Sequence, residues 1–121
     1  MEADPVSPLL FRQPSPIHLA FLAGLIVGEG SFTGDGRRVH CAVRMTARHE
    51  RLLRLVHSWY PLSRFYGPYS APGNRQPYFI VMWRGVALTQ LIGDLEAFNL
   101  QDYCPHVYGR MMAVKARLTA D

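Results

Sequence analysis

The sequence predicts an α+β domain, one antiparallel four-stranded sheet with helices packed on one of its faces. Three observations point there. Helix-like and strand-like periods alternate in the order helix, two strands, helix, two strands, helix, helix. The stretch Arg38 to Thr46 alternates cleanly, with Val39, Cys41, Val43 and Met45 on one side and Arg38, His40, Ala42, Arg44 and Thr46 on the other. A nearly all-apolar helix, Pro16 to about Gly28, needs cover on more than one side.

Taken in order, residues 1–15 form an irregular arm with prolines at 5, 8 and 14, and residues 16–121 form a single domain. Ser15 followed by Pro16 is a helix start, a capping hydroxyl and then proline at the first helical position. Ser31 to Thr33 reads as a short strand and Gly34-Asp35-Gly36 as a hairpin turn. Arg38 to Thr46 is the second strand. Ala47 to Trp59 is an amphipathic helix with Leu52, Leu53, Val56 and Trp59 inward, closed by Pro61. Leu62 to Ser70 is the third strand, Ala71 to Arg75 a turn, and Tyr78 to Arg84 a fourth strand that is apolar on both faces. Gly85 to Phe98 is a helix with Leu88, Leu91, Ile92 and Leu95 inward, and Pro105 to Thr119 is the last helix. No sequence repeat is present. The second face of the sheet is left open.

The chain of 121 residues is 49% hydrophobic, which supports a packed core and excludes a disordered tail. A net charge of +4 and pI near 9.4 favour a polyanionic partner, nucleic acid first. Twelve of the 13 basic residues are Arg, and a GC-rich genome explains much of that excess. Cys41 and Cys104 are isolated, with neither zinc spacing nor a disulfide framework. Leu19 to Gly28 is too short to cross a membrane, for which about 20 apolar residues are needed. The acidic, proline-rich residues before it are wrong for a secretion signal. A cytoplasmic or organellar protein, not secreted and with no membrane or small-molecule partner, is the expectation.

The first helix carries the chemistry. Ala20, Gly24 and Gly28 recur every four residues, a stripe of small side chains along which a second helix can approach closely. Two glycines cost about 1 kcal/mol each in a helix relative to alanine, so a packing reason is expected. A two-fold related copy fits better than an intramolecular partner, because so small a domain has few faces with which to cover the whole helix. Glu29 follows directly after an uncharged run, at the helix C-terminus, where a negative charge is disfavoured. An arbitrary Glu beside glycine is a solvated turn residue. At the end of this helix, a cation beside Glu29 would remove the conflict. Magnesium is often held by one or two carboxylates plus substrate phosphate.

Phe21 to Phe32, FLAGLIVGEGSF, resembles the signature of the LAGLIDADG homing endonuclease family in its variant ending in GEGSF. Leu22, Ala23, Gly24, Leu25, Ile26 and Gly30 match, Glu29 stands at the acidic metal-binding position, and Val27 replaces a non-essential acidic one. The similarity extends to about Leu118 and implies the family's αββαββα core with a saddle-shaped sheet over the DNA major groove. With one motif per chain it implies a homodimer joined through Ala20, Ala23, Gly24, Val27 and Gly28, acting on a pseudo-palindromic site. It further implies double-strand cleavage of DNA with Mg2+ or Mn2+ at Glu29 and Gly28, by an enzyme of intron or intein mobility. A catalytically lapsed relative, a DNA-binding regulator or splicing maturase, is the alternative. Ala47 stands where many members carry a polar group. His106, with Arg110 as fallback, is the match for the basic assistant near the last helix, and an ordinary surface histidine is an equal reading.

The expected DNA contacts follow from strand parity. Arg38, His40 and Arg44 share the non-core face of the second strand, and Arg64 and Tyr66 that of the third, with Phe65 turned to the core. Arg to guanine is the commonest specific major-groove contact. Arg37 and Arg75, at loop ends, are expected on phosphate. The parity of the fourth strand stays open: either Phe79, Val81 and Trp83 or Tyr78, Ile80 and Met82 face the core.

Overall fold

The computed structural model describes residues 14–35, 38–73 and 75–120. Helix α1 spans Pro16–Glu29, strand β1 Gly30–Asp35, β2 Arg38–Thr46, helix α2 Glu50–Trp59, β3 Arg64–Tyr69, β4 Tyr78–Trp83, α3 Gly85–Ala97, α4 Leu100–Tyr103 and α5 Pro105–Ala120. The four strands form one antiparallel sheet in the order β1-β2-β4-β3. The α+β expectation is met. The proline-rich arm, but for residues 14 and 15, and Arg37 lie outside the described residues.

Helix α1 begins as its sequence dictates. The Ser15 hydroxyl accepts a hydrogen bond from the His18 amide at 3.2 Å, with Pro16 just inside the helix. One side of α1, at Leu22, Ala23 and Ile26, is buried. It packs with Leu53, Val56 and Trp59 of α2, Leu88, Leu91, Ile92 and Leu95 of α3, and Met111 and Val114 of α5 in a single core. That core lies on one face of the sheet, against Cys41 and Val43 of β2 and Phe79, Val81 and Trp83 of β4. Burial pushes the Cys41 thiol pKa up, so it is an apolar filler. The Tyr60 hydroxyl donates to Asp94 at 2.5 Å and ties the end of α2 to α3.

Several boundaries differ from the sequence expectation. Strand β1 runs on to Asp35, because Gly34 pairs with Val39 and Asp35 with Arg38. Gly34 is therefore a strand residue at a close approach, where a Cβ would come within 2.6 Å of the Arg38 carbonyl oxygen. The expected turn at Gly34-Asp35-Gly36 thus gives up its first two residues to the strand. Ala47–His49 form a 3-10 turn before α2, and α4 adds a short helix between α3 and α5. Strand β3 is shorter than 62–70, and its pairing with β4 is irregular between Tyr66 and Tyr69.

Candidate nucleic-acid interface and carboxylate site

The register sets the face of each paired strand residue, because directly paired residues project to the same side. Ala42 pairs with Met82, Arg44 with Ile80 and Thr46 with Tyr78. Met82 in turn pairs with Arg64, and Ile80 with Tyr66. Ser31 and Thr33 of β1 join this face opposite Ala42 and His40. The open face thus carries Arg38, His40, Arg44, Arg64 and Tyr66 together, as their alternation implied. The open question of β4 is resolved: Phe79, Val81 and Trp83 are buried, while Tyr78, Ile80 and Met82 stand half-buried on the open side. Phe65 turns to the core side, its ring 5.3 Å from that of Phe79.

Two arrangements order this face. The Arg44 guanidinium lies 3.9 Å over the ring of Tyr78. The Arg84 side chain donates to the Tyr66 hydroxyl at 3.1 Å. Arg75 is exposed and lines a recess of about 450 Å³ with Arg44, Thr46, Gln76 and Tyr78. Arg84, directly after β4, was not legible as part of this face, because periodicity left the parity of that strand undecided.

At the opposite end of β1 from the hairpin, Glu29 is the last residue of α1 and is exposed, as is Gly28. Glu29 forms no ion pair with any described residue. No group of three potential metal ligands occurs among the described residues. Among the described residues, Glu29 therefore stands without two further side-chain ligands of its own chain. The first turns of α5 border the same region. His106, Arg110, Gly30, Ser31 and Phe32 line a recess of about 210 Å³, and Arg110 donates to the Phe32 carbonyl at 3.4 Å. The two residues weighed for the basic role therefore share one crevice beside the end of α1.

The remaining face of α1 has no cover among the described residues. Ile17 is 80% exposed, Phe21 48% and Val27 39%, and Ala20, Gly24 and Gly28 lie exposed among them. A Cβ placed on Gly24 or Gly28 would meet nothing within 4 Å. The small-residue stripe is therefore not used for packing among the described residues. Ala23, at 2% exposure, belongs mainly to the core, yet it lines one recess with Ala20, Gly24 and Val27. Phe98 and Tyr103, absent from the expected interface, extend this surface. Their rings stack at 5.0 Å, and with Ala20, Gly24, Val27 and Leu100 they line a recess of about 320 Å³.

No family model and no curated protein sequence matches the chain. Solved structures do. The homing endonuclease I-TnaI superposes with a TM-score of 0.53 at 13% identity, over 71% of this chain and 60% of that one. The LAGLIDADG homing endonuclease I-SmaMI, bound to cleaved DNA, superposes with a TM-score of 0.51 at 16% identity, over 85% of this chain and 35% of that one. I-SmaMI bound to an uncleaved DNA target with calcium ions gives 0.52 at 16% identity, over 88% of this chain and 45% of that one. The fold is that of the LAGLIDADG homing endonucleases. This chain spans between about a third and three fifths of the length of those proteins.

Proposed function

We propose that the chain is a metal-dependent, site-specific DNA endonuclease that works as a homodimer joined through α1. The observation that carries this reading is the junction at Glu29. One helix presents a stripe of small and apolar residues that no described residue covers, ends in an exposed carboxylate, and leads directly into a sheet whose open face is basic.

Two copies of α1 pack along Ala20, Gly24 and Gly28, which lets the backbones approach closely and buries Ile17, Phe21 and Val27. Each copy then brings its Glu29 near the two-fold axis, so that two carboxylates meet there. The donor set fits Mg2+, which takes oxygen ligands and is commonly held by one or two carboxylates and phosphate oxygens. Glu29 would hold it, with the Gly28 backbone beside it. A bound ion there would activate water and stabilise the leaving oxygen of an in-line displacement. His106 and Arg110 border the crevice next to it, placed to order water and offset developing charge.

DNA lies across the open face. Arg44 and His40 on β2 and Tyr66 on β3 reach base edges, and Ile80 and Met82 offer apolar contact for thymine methyl groups. Arg75 holds phosphate, which fixes register without reading sequence. Two identical half-sites make the preferred target an approximate palindrome. Affinity selection from a randomised duplex library tests this reading. Enrichment of a palindromic sequence supports it, and failure of any sequence to enrich removes it.

A further inference from the structure

At the far end of the sheet from Glu29 lies a larger recess, of about 550 Å³. Four arginines are among the residues that line it. Arg38 comes from the start of β2, Arg64 from the start of β3, Arg84 from just after β4, and Arg117 from α5. Its wall also includes Gly85 and Val86, the first residues of α3. None of the four arginines forms an ion pair with a described residue. Two are held in place by neutral acceptors. Arg84 donates to the Tyr66 hydroxyl at 3.1 Å, and Arg117 donates to the Gly34 carbonyl at 3.2 Å.

Four like charges around one opening repel each other, and an anion between them relieves that cost. The first amides of a helix have no partner within it, so the start of α3 adds donors on the same wall. The recess is continuous with the open face, because Arg38 and Arg64 belong to it by register. Arg117 approaches from the helical layer. The cluster therefore grips from two sides at the edge of the sheet, a geometry for a backbone and not for a base edge.

We infer that Arg38, Arg64, Arg84 and Arg117 form a clamp for the phosphate backbone of duplex DNA at the outer flank of each half-site. The inference rests on the proposed reading of the sheet as a DNA surface. It assigns Arg38 and Arg64 to the backbone, where sequence parity alone put them among the base readers. From Gly30 to Asp35, β1 extends about 17 Å at about 3.4 Å per residue. At a comparable rise per base pair, the clamp stands roughly five base pairs outward from the cleavage centre.

The test is the salt dependence of binding to a mixed-sequence duplex and to a second duplex of unrelated sequence. Wild type is compared with Arg117→Ala, with Arg84→Ala/Arg117→Ala, and with Arg54→Ala. Arg54 sits on α2 outside the recess and pairs locally with Glu50. Each phosphate that the protein no longer neutralises should lower the slope of log affinity against log salt by about 0.9. The expected result is a shallower slope for both recess variants, equal on the two duplexes, with Arg54→Ala unchanged. Arg117 is exposed, so its variant keeps the fold even if the double variant does not. A wild-type slope in Arg117→Ala and in a folded double variant overturns the clamp while leaving DNA binding intact. A loss confined to one duplex also overturns it, since that is base reading. Wild type that binds neither duplex overturns the DNA reading itself.

Discussion

The guanidinium of Arg44 rests 3.9 Å above the ring of Tyr78, and the two are diagonal neighbours on adjacent strands, Arg44 opposite Ile80 and Tyr78 opposite Thr46. The ring holds the arginine in one orientation on the open face of the sheet. An exposed pair of this kind contributes about 0.5–1 kcal/mol.

Tyr78→Ala should therefore weaken binding to the preferred duplex by about two- to fivefold. Arg44→Ala should cost about 1–3 kcal/mol and relax the preference at one base pair of each half-site. Affinity measurements on single-base variants of the selected duplex check both. A uniform loss on every sequence would move Arg44 to the backbone.

Gly24→Leu should convert a dimer into a monomer without harming the fold. Among the described residues, a Cβ at Gly24 meets nothing within 4 Å outside its own helix turn. Replacing glycine within a helix also favours helix formation by roughly 0.5–1 kcal/mol. Sedimentation gives the mass and thermal unfolding gives the stability. A stable dimer of this variant would place the interface elsewhere.

Gly67→Ala should destabilise the sheet by more than about 1 kcal/mol. Gly67 has φ of +120°, and a Cβ there would lie 2.8 Å from the Tyr78 carbonyl oxygen and 2.9 Å from the Phe79 ring. Denaturant midpoints of the two proteins give the difference. Equal midpoints would mean that β3 relaxes freely against β4.

Stability should also fall in mild acid through His57. Its Nδ1 lies 2.7 Å from the Ser63 hydroxyl oxygen, which itself donates to the Tyr60 carbonyl, so the ring nitrogen is the donor. Burial, and then the charge of Arg54, hold the His57 pKa below its usual 6.5. The unfolded chain thus takes up the proton first as pH falls. The stabilisation is complete above pH 6.5 and is lost as pH drops through the lower, folded-state value. His57→Gln should flatten this part of the pH profile in denaturant titrations. An unchanged profile would assign the acid sensitivity to other groups.

Much of the fold was legible because the periods were clean. Alternation over Arg38–Thr46 placed β2 and its basic face, and the 3.6-residue spacing of Leu88, Leu91, Ile92 and Leu95 placed the inward side of α3. Strand β4 was not legible, since Tyr78–Trp83 is apolar on both sides and only pairing with β2 decides which side is buried. The β1–β2 turn was misplaced because Gly34 reads as a turn residue, whereas it serves close strand approach. The carboxylate at Glu29 stood out by its position after an apolar helix. The arginine recess did not, because Arg38, Arg64, Arg84 and Arg117 are brought together only by the sheet and α5.

Selection of cleaved duplexes from a randomised library in Mg2+, run beside Glu29→Gln, tests the central claim most directly. Wild type alone is expected to cut both strands of an approximate palindrome, with Glu29→Gln still binding the same sequence. Duplexes that are bound and left intact by both proteins, or cut equally by both, would contradict it.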